Sequence, residues 1–235
     1  MNIHLITAFP KTFDGFLDSS IISRALKQDS VRVYRHYIRD YAVGKHKQID
    51  DYPYGGGAGM ILKPEPVYDC VKDIYNKFTL KDTKLTFLTP AGKRYTQSKA
   101  VELSLRQNLV LLCGHYKGID QRVLDEVVNE ELSIGDFVLT GGETAAMCVL
   151  DSVIRLIPGV LGDIDSAFND SFQTGLLDHP HYTRPVEFKC KKVPPVLLSG
   201  NHAEIEKWRQ KEALRITKEK RYDLYKSEQN KNSSD

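Results

Sequence analysis

Over its first two-thirds the chain alternates short apolar runs with segments of helical spacing. Asn2 to Ala8 is an apolar run, and Val31 to Ile38 is rich in β-branched and aromatic residues, the composition of a strand. Between them, Ile21 to Leu26 places apolar side chains at helical steps. Pro64 to Phe78 reads as a helix opened by proline, which suits a first turn whose N–H has no partner. Lys84 to Leu88 then reads as a strand, Gln97 to Leu105 as a helix and Leu109 to Cys113 as a buried strand. This alternation predicts an α/β domain with a mostly parallel sheet, because parallel strands need crossovers long enough to hold helices.

The clearest helix is predicted at Thr144 to Ile157. Ala146, Val149, Leu150, Val153 and Ile157 recur at three- and four-residue steps and make one apolar face. Asp151 and Arg155 lie off that face, and Pro158-Gly159 stops the helix. The character of the chain then changes. Between Leu161 and Asp178 there are aspartates at 163, 165, 170 and 178 but no lysine or arginine. Gly162, Ser166, Asn169 and Ser171 lie among them, so the first part reads as an interdomain linker. Beyond it the balance reverses: Val186 to Lys226 holds eleven Lys/Arg against six Asp/Glu, a difference of +5. A helix is predicted from His202 onward. Lys207, Lys211, Arg215 and Lys218 share one of its faces, while Ile205 and Trp208 lie on another.

Composition adds limits. With 41% hydrophobic and 27% charged residues, the chain can bury a core and stay soluble. A net charge of +2 says little about nucleic acid, so charge distribution must carry that argument. No apolar run reaches the roughly 20 residues that span a bilayer, and Met1 to Leu5 does not resemble a secretory leader. The expectation is therefore a cytoplasmic protein with no membrane partner. Cys70, Cys113, Cys148 and Cys190 are scattered, without CxxC pairs, and are expected to be reduced and mostly buried. His179 and His181 lack the neighbouring cysteines or HExxH spacing of a metal site, so no metal ligands are assigned.

Three glycine-containing segments could carry chemistry. Pro53 to Met60 (PYGGGAGM) is neither a P-loop, lacking Gly-Lys-Ser/Thr, nor a dinucleotide fingerprint, because Met60 occupies the third glycine position. Cys113 to Gly118 (CGHYKG) follows an apolar strand directly, and ligands bind open α/β sheets at the carboxyl ends of strands. Ile134 to Glu143 (IGDFVLTGGE) runs into the strong helix, so its glycines would expose backbone groups at a strand-to-helix junction. Each segment could equally be an ordinary tight turn.

Taken together, GGGAGM at 55–60, CGHYKGID at 113–120, SIGDFVLTGGE at 133–143, DSVIRLIPGVLG at 151–162, GLLDHPHYTRP at 175–185 and PPVLLSGNHAEIEKWR at 194–209 closely resemble the bacterial tRNA (guanine-N1)-methyltransferases. The resemblance covers nearly the whole chain in the family order. It implies a SPOUT-class α/β domain with a C-terminal trefoil knot (1–160), a flexible linker (161–173) and a small helical tRNA-binding domain (174–235), in an obligate homodimer. General topology rules argue against a knot, which rests on the resemblance alone.

The same resemblance implies S-adenosyl-L-methionine as methyl donor. It implies a donor pocket formed by Pro90, Gly114, Tyr116, Ser133, Ile134, Gly135, Asp136, Phe137, Val138, Leu139, Gly141 and Gly142, with Gly59 approaching from the first glycine segment. Asp170 corresponds to the general base and Arg155 to an essential basic residue, acting on the guanosine 3′ to the anticodon, in the tRNA anticodon stem-loop. Read from the residues alone, Asp170 is a solvated linker aspartate and Arg155 a surface partner of Asp151. The basic face from Lys207 to Lys218 is either a tRNA phosphate contact or a solvated helix face.

Two departures stand out. Lys117 lies where the family usually carries glutamate, a charge reversal that puts a Mg2+ requirement in doubt, and Tyr52 replaces a frequent arginine. Two other functions fit the pattern. One is a knotted methyltransferase acting on a ribose 2′-hydroxyl or on ribosomal RNA. The other is an RNA-binding protein that keeps the fold without catalysis.

Overall fold

The computed structural model describes residues 1–161 and 170–232. The central part of the expected linker, 162–169, lies outside the described residues. The chain divides into two compact units, Met1–Gly162 and Asp163–Asp235.

The first unit is built on β1 (Asn2–Thr7), a short α1 (Asp14–Leu17), α2 (Ser20–Lys27) and β2 (Arg32–Tyr37). A small ladder of β3 (Asp50–Asp51) and β4 (Ile61–Leu62) follows, then α3 (Pro64–Lys77), β5 (Leu85–Arg94) and α4 (Gln97–Ser104). β6 (Asn108–Cys113), α5 (Gln121–Val127), β7 (Glu130–Ser133) and α6 (Gly142–Ile154) complete it. Five strands form one sheet in the order β2-β1-β6-β5-β7, and every neighbouring pair is parallel. The mixed α/β architecture with a parallel sheet is the one that the alternation of apolar runs predicts.

Both faces of the sheet are covered, which is why the strands read as unbroken apolar runs. Side chains alternate along β6. Leu109, Leu111 and Cys113 join one core with Ile22 of α2, Leu103 of α4 and Val149, Leu150 and Val153 of α6. Val110 and Leu112 face the other core, with Val67, Cys70 and Ile74 of α3 and Val123 and Leu124 of α5.

The elements differ from expectation at informative places. α6 begins at Gly142, two residues before the predicted start, and its last helical residue is Ile154 rather than Ile157. The strand expected to stop at Leu88 runs on to Arg94, because it leaves register with β7 after Leu88 and rejoins at Lys93. Gly92 lies inside that irregularity, where a Cβ would stand 2.4 Å from the Leu132 backbone nitrogen. α5 and β7 have no counterpart in the periodicity. β7 is a short edge strand with acidic residues, and Glu130 on it is paired with Lys99 and Arg106. Of the four cysteines, Cys70 and Cys113 are buried, but Cys148 and Cys190 are exposed, which corrects the expectation of mostly buried thiols. Cys148 falls off the apolar stripe of α6, where helical periodicity turns it outward.

The second unit contains a two-stranded antiparallel ladder, β8 (Glu187–Phe188) with β9 (Lys191–Lys192), and two helices, α7 (His202–Lys220) and α8 (Tyr222–Asn232). Asn201 caps α7 by accepting the Glu204 backbone N–H at 3.3 Å. The Thr217 hydroxyl, fully buried, donates to the Ala213 carbonyl and accepts the Leu177 backbone N–H at 2.9 Å, tying the preceding segment to α7. Among the described residues no helix is long and apolar enough to cross a membrane.

One polar pair is packed into the sheet, His4 fully buried and His36 half-buried. His4 on β1 and His36 on β2 approach at 3.0 Å between Nδ1 and Nε2, stacked beside Tyr34 and edge-on to Phe78. Burial first, and then the neighbouring imidazole, lowers the His4 pKa to about 4. Burial and the nearby Lys77 lower that of His36 to about 4 as well. Between pH 6.5 and 4 the unfolded chain therefore binds more protons than the folded one. Stability is expected to be full above pH 6.5, to fall on acidification toward pH 4 by up to about 1.4 kcal/mol per pH unit for the buried His4 and by less for the half-buried His36, and to lose nothing further from this source below that. Urea denaturation across the range measures the slope, and His36→Gln should make it shallower.

Candidate active site

The carboxyl ends of β5 and β6 and the segment between β7 and α6 meet around one cavity of about 550 Å³. Its wall combines Phe87, Leu88 and Pro90 from β5, the Gly114–Gly118 turn after β6 and the 132–142 segment leading into α6. Gly59 and Met60 contribute from the β3–β4 connection. These pieces are far apart in sequence, and specific contacts bring them together.

The closest contact is at the start of α6. A Cβ on Gly142 would lie 2.8 Å from the Cys113 Cα and 3.0 Å from the Gly114 nitrogen. The Gly142 N–H donates to the Gly114 carbonyl at 2.8 Å, and Gly141 bridges to His115. Only glycine permits backbones to come so near, so the loop after β6 and the first turn of α6 are held as one surface. Next to them, the buried Glu143 carboxylate accepts the Thr7 hydroxyl proton at 2.6 Å, and that hydroxyl accepts the Phe9 N–H at 2.9 Å. The end of β1 is thereby pinned to the same helix start, where an acidic side chain also suits the helix dipole. His115 Nδ1 lies 3.6 Å from the other Glu143 oxygen, beyond hydrogen-bond range, and its ring rests against Phe9 with centroids 4.3 Å apart.

The first glycine segment is the connection of the β3–β4 ladder. Gly55, Gly56, Gly57 and Gly59 all have φ between +80° and +111°, the left-handed region, so the glycines there are a backbone requirement. The Lys117 N–H donates to the Met60 carbonyl at 2.9 Å, and Leu62 exchanges bonds with Gly118 and Asp120, docking this ladder onto the second glycine loop. Tyr116 at the tip of that loop is itself left-handed (φ 59°). Burial foremost, together with the charge of the nearby Asp50 carboxylate, raises its pKa.

Eleven of the twelve residues assigned to the donor pocket line the cavity: Pro90, Gly114, Tyr116, Ser133, Ile134, Gly135, Phe137, Val138, Leu139, Gly141 and Gly142. Asp136 is exposed and is not among the lining residues. Gly135 and Phe137 on either side take the cavity wall, with the Phe137 ring occupying the space where a Gly135 Cβ would stand, 2.5 Å away. The cavity also includes Phe87, Thr89, His115, Thr140 and Ala145, to which the sequence reading gave no role. The buried Thr7–Glu143 pair was likewise missed. A glutamate in a first helical turn carries no sequence signal of burial, since it depends on which strand end lies above it.

Arg155 follows α6 as a half-buried residue whose N–H donates to the Asp151 carbonyl at 3.3 Å. Asp170 belongs to the second unit, half-buried at a turn where its carbonyl accepts the Gln173 N–H. Asp178, His179 and His181 come together with their ligand-type atoms within 4.8 Å, a grouping not anticipated from spacing. The contact of His181 Nε2 with Asp178 Oδ2 at 2.7 Å is an ordinary hydrogen bond within it.

The chain matches the family model described as tRNA (Guanine-1)-methyltransferase TrmD over residues 1–227. It belongs to that family. It is 50% identical over 231 residues to a tRNA (guanine-N(1)-)-methyltransferase of Clostridioides difficile strain 630, covering 98% of this chain and 100% of that one. Proteins of the same name from Listeria innocua and Bacillus pumilus are 52% and 53% identical over 227 residues, covering 97% of this chain and 93% of theirs. Membership places the chain among tRNA (guanine-N1)-methyltransferases, an enzyme family, and the cavity described above is formed by the motifs that carry the resemblance.

Gly142→Ala tests the clamp. The added methyl meets backbone on the Cys113–Gly114 side, which cannot move as a flexible side chain would. The variant is expected to lose about 1–3 kcal/mol of stability, as for other overpacked sites. It should also lose ligand binding at the cavity by far more than Gly15→Ala, whose Cβ would meet nothing within 4 Å and whose backbone is not left-handed. Denaturant midpoints and calorimetric titration read the two effects separately.

Proposed function

We propose that this chain transfers the methyl group of S-adenosyl-L-methionine to N1 of the guanosine 3′ to the anticodon, position 37 of tRNA. The observation that carries the reading is the convergence of eleven assigned donor-pocket residues, from separate segments, on one cavity at the strand ends of a family member. A volume near 550 Å³ is in the range of small-molecule pockets. Its apolar wall and glycine-exposed backbone groups suit an adenosine bound without charged side chains.

The donor supplies a methyl already activated on a positive sulfonium, so no covalent enzyme intermediate is needed. The obstacle is guanine N1, which carries a proton and is a poor nucleophile until it loses it. Asp170 is the proposed general base: its carboxylate takes the N1 proton as the N1–methyl bond forms and the methyl–sulfur bond breaks, leaving a neutral thioether. Such catalysis contributes typically about 10²–10⁴-fold. Negative charge builds toward O6 as the proton leaves, and Arg155 is the proposed cation that stabilises it. Alignment of sulfur, methyl and N1 supplies the remaining large contribution.

The family resemblance also implies Mg2+. A hard divalent cation is held by oxygen ligands, mostly carboxylates. Among the described residues lining the cavity none is Asp or Glu, and Lys117 is there instead. Glu143 is committed to Thr7. The lining does not fit Mg2+, and no step is assigned to it.

The wider reading has a trefoil-knotted SPOUT domain, a homodimer and a cytoplasmic enzyme. The parallel sheet supports the first, and exposed Phe137 and Val138 at the cavity rim support a partner subunit. The second unit is proposed to hold the tRNA. On α7, Lys207 is paired with Glu204, Arg215 with Glu212 and Glu219, and Lys218 lies over the Tyr225 ring. Exposed pairs of this kind are worth roughly 0–1 kcal/mol, so phosphates can displace them at little cost. Each phosphate neutralised should add about 0.7–0.9 to the log–log salt slope of RNA binding.

The deciding experiment incubates purified protein with the methyl donor and unmodified tRNA, then digests the RNA and identifies the modified nucleoside. 1-Methylguanosine at position 37 is expected; a 2′-O-methyl nucleoside or no product would end the reading. Asp170→Asn is expected to bind the donor normally while methyl transfer falls at least about 10²-fold.

A further inference from the structure

We propose that Lys117 serves the guanine side of the reaction as a second cation. On this proposal its ammonium faces O6 as N1 loses its proton, and it makes methyl transfer by this chain independent of a divalent metal. The proposal rests on the methyltransferase reading above and deepens it.

Lys117 is the one Lys, Arg, Asp or Glu among the described residues that line the cavity. The rest of the lining is apolar, glycine or uncharged polar, apart from the His115 imidazole. A fixed charge in such surroundings dominates the local field, because few other dipoles or ions offset it. The buried acid at the start of α6 is engaged elsewhere: Glu143 accepts from the Thr7 hydroxyl.

The side chain is placed by the fold. Its N–H is bonded to the Met60 carbonyl at 2.9 Å, and its aliphatic stem lies across Gly59. A Cβ there would be 2.8 Å from the Lys117 Cγ and 3.2 Å from its Cε. The left-handed glycine (φ +97°) is thus the floor on which the lysine stem rests. Lys117 and Gly59 are exposed, whereas Gly114, Leu132 and Gly142, which line the same cavity, are buried. The ammonium therefore belongs to the solvent side of the cavity, where a nucleobase from an RNA arrives, rather than to the enclosed side.

Charge decides what it meets. The donor's reacting centre is a sulfonium, which a nearby ammonium would repel. A guanine losing its N1 proton becomes anionic across N1 and O6, which an ammonium stabilises more strongly as the transition state develops. That is differential stabilisation and acts on turnover. The same positive charge disfavours a divalent cation at this rim, in agreement with the lack of a carboxylate in the lining.

Lys117→Met keeps the stem on Gly59 and removes the charge. Methyl transfer to tRNA is expected to fall about 10²–10³-fold in kcat, the usual loss for one preorganised charge stabiliser. Calorimetric affinity for the donor without RNA should stay within about threefold, and Lys117→Arg should recover part of the rate. Wild-type turnover is expected to be unchanged between excess EDTA and added Mg2+. A donor affinity that falls in step with an unchanged kcat would mean that Lys117 holds the donor's carboxylate, and would overturn the proposal. So would an unaltered Lys117→Met enzyme, or a wild-type rate that collapses in EDTA. Wild-type protein that yields no methylguanosine under any condition would remove the methyltransferase reading itself, a result distinct from these.

Discussion

The near-contact of two backbones at Gly142 governs this site. Where α6 begins, its first turn lies against Cys113 and Gly114 so closely that no Cβ fits, and one N–H···O bond of 2.8 Å closes the joint. That joint holds two loops, each at the carboxyl end of a strand, together as one surface lining the cavity. The apolar face of α6 behind it, with Val149, Leu150 and Val153 fully buried, anchors the joint to the sheet. Close-packed interiors transmit displacement, so a shift of a few tenths of an ångström at Gly142 would reach the cavity wall.

Polar groups are buried around the joint in a way that a purely apolar core would avoid. Glu143, Thr7 and Ser133 are buried close to the cavity; Thr7 bonds Glu143 across the β1–α6 gap, and Ser133 bonds Gly135 within the wall. A buried carboxylate without partners would be costly, so the Thr7 hydroxyl fixes where Glu143 lies and, through Phe9, where the chain leaves β1. The resulting surface presents backbone amides and carbonyls held by packing rather than by flexible side chains. Such rigidity suits a reaction whose catalysis depends on aligning two reactants.

The second unit follows a different physical logic. Its helices expose most of their charge, and the cations of α7 are balanced by acids one turn away. Its anchoring contacts are few and local, with Thr217 holding Leu177, and Trp208 beside His179 and Tyr182. Screened surface pairs yield readily to a polyanion. Such a surface suits contact with RNA phosphates, the role proposed for this unit, while the cavity itself is lined by residues of the first unit.

Much of this was legible in the residues. The unbroken apolar run of β6, the stripe of α6 and the proline opening α3 gave the strands, the helices and the parallel sheet, because hydrophobic patterning is a local consequence of burial. The three glycine segments pointed to the cavity for a similar reason: positive φ and close approach exclude a Cβ wherever they occur. Tertiary contact alone decided the rest. α5 and β7 owe their form to neighbours, β7 being an edge strand whose Glu130 is held by Lys99 and Arg106. β5 runs past Pro90 because Gly92 lets it rejoin the Leu132 backbone. Glu143 became an interior residue because β1 ends above it, and Lys117 entered the cavity wall because Gly59, remote in sequence, leaves room for its stem. Local pattern records what each segment must bury; which distant segment it meets, and with which charge, is settled only when the chain has closed on itself.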